Sequence, residues 1–261
     1  MFKKKGSRAI FIKLIIFFLV FNILFFSIRF FNLLPPVKLI QNNSSLPWLF
    51  SAIELIFSII SGFIIQSKWS TWNTLIDATH EELSSVRELY ILSHHFSKEI
   101  RQQIKEKICN YLSLILEESE TNKNLSSRSA EVDQAIFQLE ETIFSIDYAE
   151  HPNIGSMAFD LVRKCMESRE KRLQNILHSL PLGVKIFIIF ATYSSIFTSL
   201  FIGVTSIGYD YLFTSVIALL AYGIYLLIDD LDHPYRPGQW HLSMKGYREV
   251  LREINEDKWQ G

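Results

Sequence analysis

The sequence predicts an all-α integral membrane protein, with four transmembrane helices and a cytoplasmic helical bundle inserted between the second and third. Three observations predict it. Apolar runs that could form the ~20-residue helix a bilayer requires occur four times, at 9–34, 47–66, 184–209 and 211–228. Most of the charge lies between the second and third runs, in residues 67–182. No stretch alternates apolar and polar residues as a half-buried strand would. Composition agrees. The 261 residues are 49% hydrophobic and 14% aromatic, with 21 Phe, yet mean hydropathy is only +0.17, as expected of apolar spans joined to a charged soluble part.

The first span carries Lys13 and Arg29 toward its ends, where long side chains can snorkel to the interface. The basic start, with Lys3, Lys4, Lys5 and Arg8, looks like a signal peptide. However, the apolar run is too long and no small-x-small cleavage site follows, so an uncleaved span with a cytoplasmic N-terminus is expected. Trp48, Trp69, Tyr209 and Tyr211 flank spans as interfacial aromatics do. The loop 35–46 carries only Lys38, and the connection near Asp210 carries no Lys or Arg, so both are expected outside. Four crossings then return the C-terminus, with Arg236, Arg248 and Arg252, to the cytoplasm. The resulting segments are 1–66 (N-terminus and first two spans), 67–182 (bundle), 183–228 (last two spans) and 229–261 (cytoplasmic tail).

Within the bundle, Trp69, Trp72, Ile76, Thr79, Leu83, Val86 and Tyr90 step by three or four and share one helical stripe. Nothing between this stripe and the second span breaks a helix, which predicts one long helix leaving the membrane. The same stripe offers a subunit interface. Ile100, Ile104, Ile108, Tyr111 and Ile115 form a second stripe, and Val132, Ile136, Leu139, Ile143 and Ile146 a third. Leu161, Cys165, Leu173, Ile176 and Leu180 mark a less regular fourth helix, running to Pro181 and a kink near Gly183. Breaks fall at 94–97, 119–129 and 150–156.

Several function classes are excluded or unsupported. A net charge of −1 gives no field for nucleic acid. Cys109 and Cys165, 56 positions apart, make no CxxC pair and no zinc pattern. Residues 79–83 are not HExxH, because Ser84 stands where the second His is needed. His94 and His95 are adjacent, so on a helix they diverge by about 100° and chelate poorly. No phosphate-binding loop or nucleophile elbow is present, so no enzyme is expected.

Two features do carry chemistry. Glu54 interrupts the second span, where a lipid-facing carboxylate costs about 3 kcal/mol. Ser51, Glu54, Ser58 and Ser61 form one stripe bordered by Gly62, and this reads either as a tight packing seam or as a pore lining. Glu54 and Arg29 both lie in the outer half of their spans, which suggests a charge pair. At the end of the fourth span, Asp229, Asp230 and Asp232 could hold a hard cation or simply form an acidic border.

The segment 72–118 carries an E-x-x-x-x-x-x-L-Y pattern (Glu82, Leu89, Tyr90) after Trp72. Residues 168–181 carry R-x-x-R-L…L-P (Arg169, Arg172, Pro181). Residues 231–251 carry D-x-P-[FY]-x-G (Asp232, Pro234, Tyr235, Gly238). With the order of spans, these motifs resemble the bacterial bestrophin-like family, over residues 47–251. The resemblance implies a homo-oligomeric, pentameric ion channel with the second span lining the pore. It also implies that the three aspartates occupy the place of an acidic calcium-binding segment. Such channels pass mainly anions, so Glu54 must be protonated, paired with Arg29, or part of a cation path. The expected partners are the lipid bilayer, further copies of the chain and inorganic ions, with no cofactor beyond that calcium. The alternative is a non-conducting membrane scaffold or sensor whose bundle binds a protein.

Overall fold

Apolar periodicity becomes long helix, even through Gly62 of the second span. The computed structural model describes residues 4–31, 46–120, 129–146, 148, 152–201, 206–236 and 238–257. Among these, eight α-helices run in order: α1 Lys4–Phe30, α2 Leu46–Leu92, α3 Lys98–Glu120, α4 Ala130–Phe144, α5 Pro152–Leu177, α6 Leu182–Phe201, α7 Ile207–Leu231 and α8 Lys245–Asn255. A 3₁₀ turn at Ser93–His95 follows α2. No strand occurs among the described residues. Lys3, the loop 35–45 with Lys38, and 121–128 of the second expected break lie outside them.

The chain divides into two units, Met1–Ser70 with Ser179–His241, and Thr71–His178 with Leu242–Gly261. The first holds α1, the start of α2, α6 and α7. Four helical stretches are long and apolar enough to cross a membrane: Ile10–Phe30, Trp48–His95, Leu182–Leu200 and Ile207–Leu231. The core of this unit is Phe21 and Phe25 of α1, Phe57 of α2, Ile196 and Leu200 of α6, and Ala218 and Ala221 of α7. Small buried residues line the facing sides of α6 (Thr192, Ser195, Ser199) and α7 (Thr214, Ser215, Ala218), as close packing of helices in lipid requires. The outward residues of α1, such as Phe11, Ile15, Leu19 and Ile23, are more than half exposed. Water would penalise that surface; hydrocarbon does not.

The predicted long helix is present. At 1.5 Å per residue α2 is roughly 70 Å long, against a hydrocarbon core of about 30 Å, so much of it must lie outside the bilayer. Its buried face in the second unit runs Leu75, Ala78, Thr79, Glu82, Leu83, Val86, Leu89 and Tyr90. The predicted stripe began at Trp69. That residue is 41% exposed and instead meets Trp240 edge-on at 5.9 Å within the first unit.

Other boundaries also differ from the sequence reading. The fourth bundle helix, α5, stops at Leu177 rather than Pro181. A residue preceding proline disfavours the helical region, and the freed Leu180 N–H donates to Asp232 Oδ1 at 2.8 Å. Pro181 then opens α6, its carbonyl accepting from Val184 and Lys185 at 3.0 and 3.1 Å. The break expected through 156 is already helical from Pro152, a position where the missing N–H costs nothing. The third span ends at Phe201 and the fourth starts at Ile207, so Tyr209 and Asp210 belong to the first turn of α7. The 229–261 segment divides after His241, and α8 buries Tyr247, Val250 and Ile254 in the second unit.

Candidate functional site

On α2 the polar stripe separates into two rows. Ser51, Ser58 and Gly62 face outward and are exposed, whereas Ser61 is 2% exposed. Glu54, Ser61 and Lys68 recur every seven residues on the side of Phe57. Phe57 explains the separation: burying its ring in the core turns Ser61 inward and leaves Ser58 and Gly62 on the surface. Glu54 is half-buried, and its Oε1 is covered without a hydrogen bond among the described residues.

Arg29 does not pair with Glu54, which corrects the sequence reading. Its guanidinium reaches Asp210 at 2.7 Å, with both side chains largely buried. The Arg29 guanidinium lies 5.5 Å from the centre of the Phe25 ring. Beside it, Tyr211 Oη donates to Asn22 Oδ1 at 2.5 Å, so α1 and α7 are joined by two adjacent polar contacts. Asp210 sits in the first turn of α7, where the helix dipole favours a carboxylate. The sequence signal was available: Ser206 followed by an acid in the first turn marks a helix start. Treating Asp210 as part of a connection concealed it.

The three aspartates at the end of α7 each take separate protein partners. Asp229 pairs with His233 at 3.4 Å. Asp230 Oδ2 accepts the backbone N–H groups of Gln239 and Trp240 at 2.8 and 3.2 Å, closing the turn that contains Pro234 and Tyr235. Asp232 receives Lys68 at 2.6 Å, Lys185 at 2.8 Å and the Leu180 N–H. No group of three metal-ligating side chains occurs among the described residues. Burial would push the Asp232 carboxyl up, but its bonds to Lys185, Lys68 and the Leu180 N–H outweigh that and hold it below the usual range. Gly238 of the motif also has a reason. A Cβ there would fall 1.7 Å from Asp230 Oδ1.

In the second unit, the remaining motif residues build its interior. Glu82 is fully buried and accepts Arg172 Nε at 2.7 Å, Arg172 Nη2 at 3.2 Å and Tyr111 Oη at 2.6 Å. Burial first, and the Glu82 charge second, push the Tyr111 hydroxyl well up, so it remains a donor. Arg172 also lies over the Tyr247 ring at 5.7 Å. Arg169 pairs with Asp133 at 2.6 Å. Tyr90 donates to Asp257 at 2.5 Å, and Trp72 is half-buried. Sequence patterns found these residues but not their partners, because Tyr111, Asp133 and Asp257 are 29 to 167 positions away.

Residues 15–238 match the Bestrophin-like domain family. Solved structures of a bacterial bestrophin homologue from Klebsiella pneumoniae, each carrying a single substitution, are similar in fold. One has a TM-score of 0.73 at 13% identity, covering 96% of this chain and 99% of that one. Another has a TM-score of 0.74 at 13% identity, covering 97% and 100%. A third has a TM-score of 0.71 at 14% identity, covering 97% and 98%. No curated protein matches the chain.

Proposed function

The chain belongs to the Bestrophin-like family and is a multi-pass membrane protein, and from that premise we propose that it is an oligomeric ion channel whose pore is lined by α2. One observation carries the reading: Ser51, Ser58 and Gly62 form an exposed polar and small row on the apolar first half of α2. Several copies arranged about an axis would turn this row toward water and passing ions. Glu54 borders the row and contributes negative potential to the path. The basic start supports a cytoplasmic location for both termini and the bundle.

Purified protein in liposomes should release trapped potassium or sodium salts when a gradient is applied. Glu54→Gln should shift the reversal potential while the oligomer persists in mild detergent. An oligomer that passes no ion in any salt would overturn the channel and leave a membrane scaffold. Labelling of Leu125→Cys from outside intact cells would overturn the topology.

A further inference from the structure

We propose that His94 is an acid-strengthened clamp on the C-terminal segment of the second unit. This segment, α8 and the residues after it, is held from three sides. From α2, Arg87 binds Glu253 at 2.7 Å and Tyr90 Oη donates to Asp257 Oδ1 at 2.5 Å. From α3, Arg101 binds Asp257 Oδ2, and Lys105 Nζ reaches the Asn255 carbonyl at 3.5 Å. From the 3₁₀ turn, His94 Nε2 stands 3.4 Å from Asp257 Oδ1. Asp257 itself adopts a left-handed backbone, φ 48°, which turns its carboxylate back into this cluster.

The imidazole is oriented by its other nitrogen. His94 Nδ1 lies 3.1 Å from the Tyr90 carbonyl, which can only accept, so Nδ1 carries the hydrogen. In the neutral ring Nε2 is then a lone pair. It is buried, has no hydrogen bond among the described residues, and faces a carboxylate oxygen. Two acceptors confront each other. A proton on Nε2 turns that contact into a charge-assisted bond and adds a second cation beside Arg101. Tyr90 cannot take over the switching: burial first, and the bond to Asp257 second, push its hydroxyl up to about 12. The remaining charged groups around the site are Arg87, Arg101, Lys105 and Glu253. Imidazole is the side-chain type that ordinarily changes charge between about pH 5 and 8. The hold on α8 is therefore strongest where Nε2 carries a proton, on the acid side.

Hydrogen exchange of the full chain in detergent, followed by mass spectrometry over 242–257 and corrected for intrinsic rates, tests this. Protection should rise about three- to fivefold between pH 7.5 and 5.5, the scale of a partly exposed ion pair. His94→Gln should abolish the step. Arg101→Gln should lower protection at both pH values and keep the step. If His94→Gln does not fold, Asp257→Asn, which tolerates the left-handed backbone, should also remove the step. A wild-type segment without a pH step, or a step that survives in His94→Gln or Asp257→Asn, would overturn the clamp.

Discussion

The buried charge pairs of the first unit lie at the two ends of α7, while the most deeply buried pair of the second lies at mid-helix. In the first, Arg29 meets Asp210 at the start of α7, and Lys68 and Lys185 meet Asp232 just past its end. Between these two levels lie Ser61, Thr192, Ser195 and Ser215, whose buried hydroxyls have no hydrogen bond among the described residues. In the second, Glu82, Arg172 and Tyr111 sit within the bodies of α2, α5 and α3, and all three are buried. A charge deep in hydrocarbon lacks water in both the folded and the separated helix, so charges collect near interfaces. A water-solvated bundle can bury a charge centrally if a second charge and a hydroxyl satisfy it.

The comparison can be broken most strongly at the central pair. Glu82→Ala strands the Arg172 guanidinium in the interior, and about 3–5 kcal/mol of stability should be lost, read as loss of exchange protection across α3 and α5. A paired Glu82→Met, Arg172→Met variant should recover much of it. Equal loss in the single and double variants would contradict the pairing.

Asp232→Asn should cost about 2–4 kcal/mol, because it removes the charged partner that Lys68 and Lys185 share. Its pH behaviour has a definite sign. The carboxyl is held low in the folded chain, so its contribution is present above about pH 4 and lost as acid protonates it below that. The Asn variant should lack this acid step when thermal unfolding is followed from pH 6 to 3.

Arg29→Gln should loosen α1 from α7 by about 2–3 kcal/mol, seen as faster crosslinking-sensitive separation of the two helices in detergent. Glu54→Gln should leave that stability unchanged, because the two residues do not touch. Comparable losses in both would favour a Glu54–Arg29 pair. The smallest effect is expected at Gly238→Ala, about 1–2 kcal/mol. Asp230 must swing away from the new methyl, releasing the Gln239 and Trp240 N–H groups and raising local proteolysis there.

Much of this architecture is legible from periodicity alone. The 3.6-residue rhythm and the absence of breakers locate α1 to α5 and the continuity of α2 through both units. Periodicity cannot reveal which long-range partner a charge will choose. By depth in their spans Glu54 and Arg29 suit each other. Asp210 was the better partner, since a first-turn carboxylate is already favoured by the helix dipole and needs no unwinding. Similarly, three aspartates in four residues suggested a cation site. Their backbone positions send them to a histidine, a loop and two lysines. Helical arithmetic places the members of the α2 stripe within one broad arc, and the burial of Phe57 draws the line through that arc.

The most direct measurement concerns that line. In a Cys109→Ser, Cys165→Ala background, Ser58→Cys and Phe57→Cys are reconstituted separately and exposed to a charged, membrane-impermeant thiol reagent during ion flux. The proposed channel predicts that modification at position 58 cuts or gates the flux while position 57, buried in the core, stays unmodified and unaffected. Unchanged flux with position 58 shown by mass to be modified, or block from position 57 instead, would contradict the assignment of the outward face of α2 as the ion path.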